Sequence, residues 1–130
     1  MALLIDTDVA IHLRDSDPII NARLRGEGAS PIISVLTLVE LEAGAADDVV
    51  TGHRRVRLEA MLAFVPVLPY TSIEAAAYGR IVGALGFDRR RVFDRMIAAQ
   101  AIVAGLPLAT INGRGYRGIP DLDLLVWSID

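Results

Sequence analysis

The segment "LLIDTDVA", Leu3 to Ala10, is an apolar run that stops on two aspartates separated by one threonine. A short continuous apolar run, without the alternation of a half-exposed strand, predicts a strand buried on both faces. A helix is predicted from Thr7 through Leu13, so Asp6 falls at the strand's carboxyl end. Asp8 falls in the first helical turn, where a negative charge meets the positive end of the helix dipole. Either aspartate could be no more than a helix cap, and a D-x-D pair by itself does not decide between capping and chemistry.

Outward from this segment the same alternation recurs. Asp17 before Pro18 predicts a helix to about Arg25, closed by Gly26 and Gly28. "IISV" (Ile32 to Val35) reads as a second buried strand. Helices are predicted over about 37–46, 52–64, 72–85 and 94–104, the last closed by Gly105. "VPVL" (Val65 to Leu68) reads as an edge strand because its proline interrupts ladder donation. "PLAT" (Pro107 to Thr110) and "LLVW" (Leu124 to Trp127) read as late strands. Buried strands alternating with helices predict an α/β fold with a mainly parallel sheet covered on both faces. The 130 residues show no repeat, low-complexity tract or linker, so a single domain over 1–130 is expected.

Composition narrows the chemistry. With 53% hydrophobic and 5% aromatic residues the interior is aliphatic, yet no apolar span reaches the roughly 18 residues of a membrane helix. No basic stretch precedes the first apolar residues, so a cytoplasmic protein is expected. There are no cysteines and only two histidines, which excludes disulfides and thiolate metal sites and disfavours zinc. All 13 basic residues are arginine, so no mechanism can use a lysine, while forked phosphate contacts remain open.

In a parallel sheet, ligands bind where loops converge at the strands' carboxyl ends; of four polar segments, three end or follow a strand, and the third in order, with Asp94, heads a helix. The first holds Asp6 and Asp8. In the second, "SVLTLVELEAG", Thr37 and Glu40 have the spacing of a capping box. Glu42 lies roughly 200° around the helix from Glu40, so only one of the two faces a cleft, and Gly44 beside Glu40 favours Glu40. The third, "FDRMIAAQAIVAG", opens with Asp94, which can also be read as an N-cap. The fourth, "LATINGRGYRGIPD", offers Thr110 and Asn112 as uncharged hydrogen-bonding assistants. Carboxylates gathered at one sheet end repel each other unless a cation joins them. Oxygen donors without histidine or cysteine suit Mg²⁺, with Mn²⁺ as an alternative. Metal-assisted phosphoryl chemistry is the reading these residues favour.

The order "LLIDTDVAI", "SVLTLVELEAG", "FDRMIAAQAIVAGLPLAT" and "TINGRGY" resembles the PIN-domain ribonucleases, specifically the VapC toxins of type II toxin–antitoxin systems. The resemblance covers essentially the whole chain and implies a three-layer α/β/α fold. It implies Asp6, Glu40 and Asp94 as the catalytic, Mg²⁺-holding set, with Thr110 and Asn112 as the polar pair. Two departures stand out: Asp8 occupies a position that is usually Asn or Ser, and Gly115 stands where many relatives carry a further aspartate. Asp8, or Asn112 with water, would then supply the fourth ligand. The resemblance also implies an RNA substrate, a homodimer, and a VapB-type antitoxin that neutralises the toxin and joins it in a higher assembly. Arg89, Arg90, Arg91 and Arg95 beside Asp94, and Arg114 and Arg117 beside Asn112, become candidate phosphate contacts. Two other readings compete: a haloacid-dehalogenase-type phosphatase, which lacks its lysine here, and a PIN-like module that binds RNA or a partner without cutting.

Overall fold

A computed structural model describes residues 1–129. The chain begins with β1 (Ala2–Ile5), α1 (Thr7–Arg14), α2 (Pro18–Glu27), β2 (Ser30–Ser34) and α3 (Val35–Asp47). It continues with α4 (His53–Leu62), β3 (Val67–Leu68), α5 (Ser72–Leu85), a 3-10 turn (Arg89–Arg91) and α6 (Val92–Ala104). It ends with β4 (Leu108–Thr110), a second 3-10 turn (Gly113–Tyr116) and β5 (Leu124–Val126). The five strands form one sheet in the order β3-β2-β1-β4-β5, and every pairing is parallel.

The continuous apolar run of β1 is explained by its central place. Leu3 and Ile5 enter one core with Val9, Ile20, Leu41, Leu58 and Met61 from α1 to α4. Leu4, between them, enters a second core on the opposite face, with Ala77 and Ile81 of α5 and Ile97, Ala98 and Ala101 of α6. Successive strand side chains point to opposite faces, so a strand covered on both sides must be apolar at every position. The result is the expected three layers, helix on sheet on helix. Among the described residues, no helix is long and apolar enough to cross a membrane.

Several boundaries differ from the sequence reading. The helix after β2 starts at Val35, not Thr37, because Ser34 is the cap and its Oγ accepts from Leu36 N at 2.9 Å. Thr37 and Glu40 therefore form no capping box; that device occurs at Thr71 and Glu74, ahead of α5. Asp94 is likewise not a cap, since α6 begins two residues earlier and Asp94 sits within its first turn. The edge strand is reduced to Val67–Leu68, and Val65 is buried in the first core instead.

Candidate active site

Because β1, β2 and β4 are neighbours and run the same way, their carboxyl ends open on one edge of the sheet. Asp6 leaves β1 there and caps α1, its Oδ1 accepting from Val9 N at 3.1 Å. Its Oδ2 accepts from Thr110 Oγ1 at 2.6 Å, at the end of β4, and from the Tyr116 hydroxyl at 3.1 Å. Thr110 Oγ1 in turn accepts from Asn112 N at 3.0 Å, so its own proton is directed at Asp6. An ionised carboxylate has about four lone-pair sites. Three are taken by these donors, which leaves Asp6 one position on Oδ1 for a further partner.

Only 5% of Asp6 is exposed. Burial raises its pKa to about 6, against the lowering effect of its hydrogen bonds, and the Asp8 charge nearby adds to the rise. Asp94, half-buried, is also raised, mainly by burial and further by Asp8 and Glu40, while Arg91 pulls it down. These mutual effects show that the four carboxylates share one field. Asp6, Asp8, Glu40 and Asp94 line a common cavity of about 180 Å³ with Thr7, Ile11 and Phe93. Among the described residues, no three acidic or histidine side chains converge closely enough to hold an ion by themselves. The donor set nevertheless fits a hard divalent cation. It is all oxygen, the buried Asp6 and half-buried Asp94 both stand above their ordinary pKa, and Mg²⁺ normally takes one or two carboxylates and completes its shell with water.

Glu40 faces this cavity and Glu42 does not; the latter pairs with Arg55 at 2.7 Å on the far side of α3. The space beside Gly44 is used by Arg54, whose Nη1 donates to Gly44 O at 3.2 Å, and not by the cleft. Asp8 lines the cavity, whereas Asn112 contributes its backbone N–H to Thr110 and its side chain lies outside. Arg89, Arg90, Arg114 and Arg117 are exposed, and Arg91 is half-buried against Asp94. Arg95 does not belong with them. It is buried, and its Nη1 donates to Gly86 O at 2.7 Å, clamping the loop between α5 and α6.

Three side chains that touch the site escaped the sequence reading. Thr7 Oγ1 donates to Glu40 Oε1 at 2.7 Å and meets Thr37 Oγ1 at 3.0 Å, fixing α1 against α3 at the cavity rim. The signal was the adjacency of β1 and β2, which brings the first turns of the helices following them together. Phe93, beside Asp94, presents a partly exposed ring to the cavity. Tyr116, in the glycine- and arginine-rich stretch after β4, carried no signal that its hydroxyl meets Asp6.

The residue order behind this geometry is found in known proteins. Residues 3–121 match the PIN domain family. The chain belongs to the PIN-domain family, among the VapC ribonucleases. It is 30% identical over 134 aligned residues to Ribonuclease VapC1 of Rickettsia felis, covering 98% of each chain. It is 28% identical to the tRNA(fMet)-specific endonuclease VapC of Shigella flexneri, covering 98% of this chain and 99% of the relative. The DNA-bound VapBC structure of Salmonella typhimurium superimposes with a TM-score of 0.80 at 26% identity, covering 98% of this chain and 99% of that one. As a member of this PIN family, the chain is a nuclease, and the phosphatase reading of the opening D-x-D is set aside.

Proposed function

We propose that this chain is the toxin of a VapBC pair: an endoribonuclease that hydrolyses RNA phosphodiesters with Mg²⁺ and is inhibited by a VapB-type antitoxin. The observation that carries the reading is the buried Asp6 carboxylate, raised to about 6 and facing Asp94, Asp8 and Glu40 across one cavity. Groups perturbed by burial and by like charges in a cleft mark functional sites, and here a divalent cation would relieve both effects.

Asp6 and Asp94 would hold the cation directly, and Glu40 and Asp8 would act on its water shell. When bound, the cation polarises a phosphoryl oxygen and renders a water more acidic. The protein's own groups do the positioning. Thr110 holds the Asp6 carboxylate in one orientation from 2.6 Å. Thr7 aims Glu40 into the cavity from α1, where it can accept a proton from a water lined up for attack. Arg89, Arg90, Arg91, Arg114 and Arg117 would contact phosphates on either side of the scissile bond. Such contacts make RNA affinity fall steeply with added salt.

The antitoxin partner is supported by the VapBC complex of Salmonella typhimurium, whose fold this chain shares along nearly its whole length. A homodimer, joined with antitoxin into a larger assembly, belongs to the same reading.

The test is RNA cleavage by the purified chain in Mg²⁺, in EDTA, and with Asp94→Asn. Wild type in Mg²⁺ is expected to cut, with the other two conditions slower by on the order of a hundredfold or more, the upper end of losses seen when mere supports of metal ligands are altered. Equal cleavage by wild type and Asp94→Asn would remove the nuclease role of this site. RNA binding without cleavage under all conditions would leave a binding module.

A further inference from the structure

Gly115 and Tyr116 stand together beside the carboxylates of Asp6 and Asp94. The Tyr116 ring is packed in the second core with 3% of the residue exposed, so it cannot reach a substrate. Its hydroxyl donates to Asp6 Oδ2 at 3.1 Å. The phenol itself is pushed far above its ordinary pKa, chiefly by burial and then by Asp6 and Asp94, so it keeps its proton and remains a donor.

Gly115 makes room for Asp94 beside this pair. A Cβ built on Gly115 falls on Asp94 Oδ2 and lies 3.0 Å from its Cγ, so the Asp94 carboxylate occupies the space a side chain at 115 would need. Gly115 is not among the residues with positive φ. Its lack of a side chain is thus a matter of room and not of backbone conformation. The position where relatives were expected to carry an acid is filled here by Asp94 itself.

We propose that Tyr116 is a positioning residue of the reaction, its hydroxyl fixing the orientation of the Asp6 carboxylate, and that Gly115 supplies the clearance that lets the Asp94 carboxylate take its place. The proposal rests on the cation-dependent reading above. Outer partners of metal-binding carboxylates fix their orientation, and removing one commonly costs 10–100-fold in metal affinity or activity. Tyr116→Phe removes the donor and keeps the ring in the core. Gly115→Ala keeps the donor and evicts Asp94 from its place.

The experiment is calorimetric titration of Mg²⁺ into cation-free wild type, Tyr116→Phe and Gly115→Ala, with circular dichroism as a fold check and kcat and KM measured on an RNA oligonucleotide. Both variants are expected to remain folded and to bind Mg²⁺ about tenfold more weakly. Their kcat should fall about as much, with KM for RNA unchanged because neither side chain touches it. Wild-type Mg²⁺ affinity and kcat in Tyr116→Phe would overturn the positioning role of Tyr116 while leaving the nuclease reading intact. Wild-type values in Gly115→Ala alone would overturn the clearance role. A wild type that neither binds Mg²⁺ nor cuts RNA would defeat the underlying reading, and the positioning role with it.

Discussion

Two helices of this chain start on an aspartate cap, and the two aspartates have opposite electrostatic histories. Asp17, ahead of α2, accepts from Ile19 N at 2.8 Å and pairs with His12 Nδ1 at 2.8 Å near the surface. These partners, His12 foremost, hold its pKa below the ordinary carboxylate range. Asp6, ahead of α1, makes the same kind of cap, accepts two further hydrogen bonds, and is nonetheless raised to about 6. Hydrogen-bond number does not separate them, since Asp6 has more. Burial and neighbouring acids do, and they are worth more here than three donors. A cap that serves only its helix is left where ionisation is easy, whereas Asp6 is kept where its charge is costly.

The sharpest way to break this comparison is to remove the charge alone. Asp6→Asn retains an oxygen for Val9 N, and the Thr110 and Tyr116 hydroxyls can rotate to accept from the new amide. Cleavage of RNA should fall on the order of a hundredfold or more, beyond what altering an outer partner costs. The fold should melt no earlier than wild type in EDTA. Loss of activity together with a large drop in Tm would instead make Asp6 a structural cap like Asp17.

The next effect is a pH dependence whose sign differs between the two caps. A folded pKa above the unfolded value means that the neutral form is favoured by folding. The Asp6 contribution is therefore fully present below about pH 4 and is lost as pH rises through about 6. A shift of this size corresponds to about 3 kcal/mol, at 1.36 kcal/mol per pKa unit. Asp17 works in reverse: its depressed pKa stabilises the fold above the ordinary carboxylate range, and that support is lost as pH falls. Urea denaturation of wild type and Asp6→Asn in EDTA, between pH 4 and 7, isolates the Asp6 part because the other carboxylates are common to both. The advantage of Asp6→Asn should grow across this window and reach a plateau above pH 6. Mg²⁺ should then stabilise wild type and not the variant. A constant difference across the window would show that Asp6 carries no burial cost.

The contrast between the caps also marks what the sequence could and could not disclose. Asp6 and Glu40 were legible because apolar runs locate strand ends, and strand ends in a parallel sheet locate sites; Asp94, at the head of a helix that follows no strand, came from the family resemblance. Which strands are neighbours was not legible, and with it went the Thr7–Glu40 contact, made across thirty-three residues of chain. Arg95 was misread because neighbours in sequence diverge by about 100° on a helix: beside Asp94 in the chain, it faces Gly86 in the fold. Thr37 and Glu40 matched a capping box, but Ser34, at the end of β2, starts the helix sooner. Tyr116 drew no reading from the sequence; the turn after β4 buries its ring in the second core and directs its hydroxyl at Asp6.

The smallest effect concerns Asp17, where the comparison predicts stability without function. Asp17→Ala removes the acceptor for Ile19 N and the partner of His12, and leaves α2 with an unsatisfied amide at its start. Loss of a helix cap of this kind should lower Tm by about 4 °C in a domain of this size. RNA turnover should stay at the wild-type level, because α2 contributes no residue to the cavity. The Tm deficit should also narrow at low pH, where protonated Asp17 loses its attraction for His12 and serves wild type less well. A fall in turnover comparable to that of Asp6→Asn would mean that α1 and α2 move together at the site. The buried and the exposed cap would then belong to one functional unit.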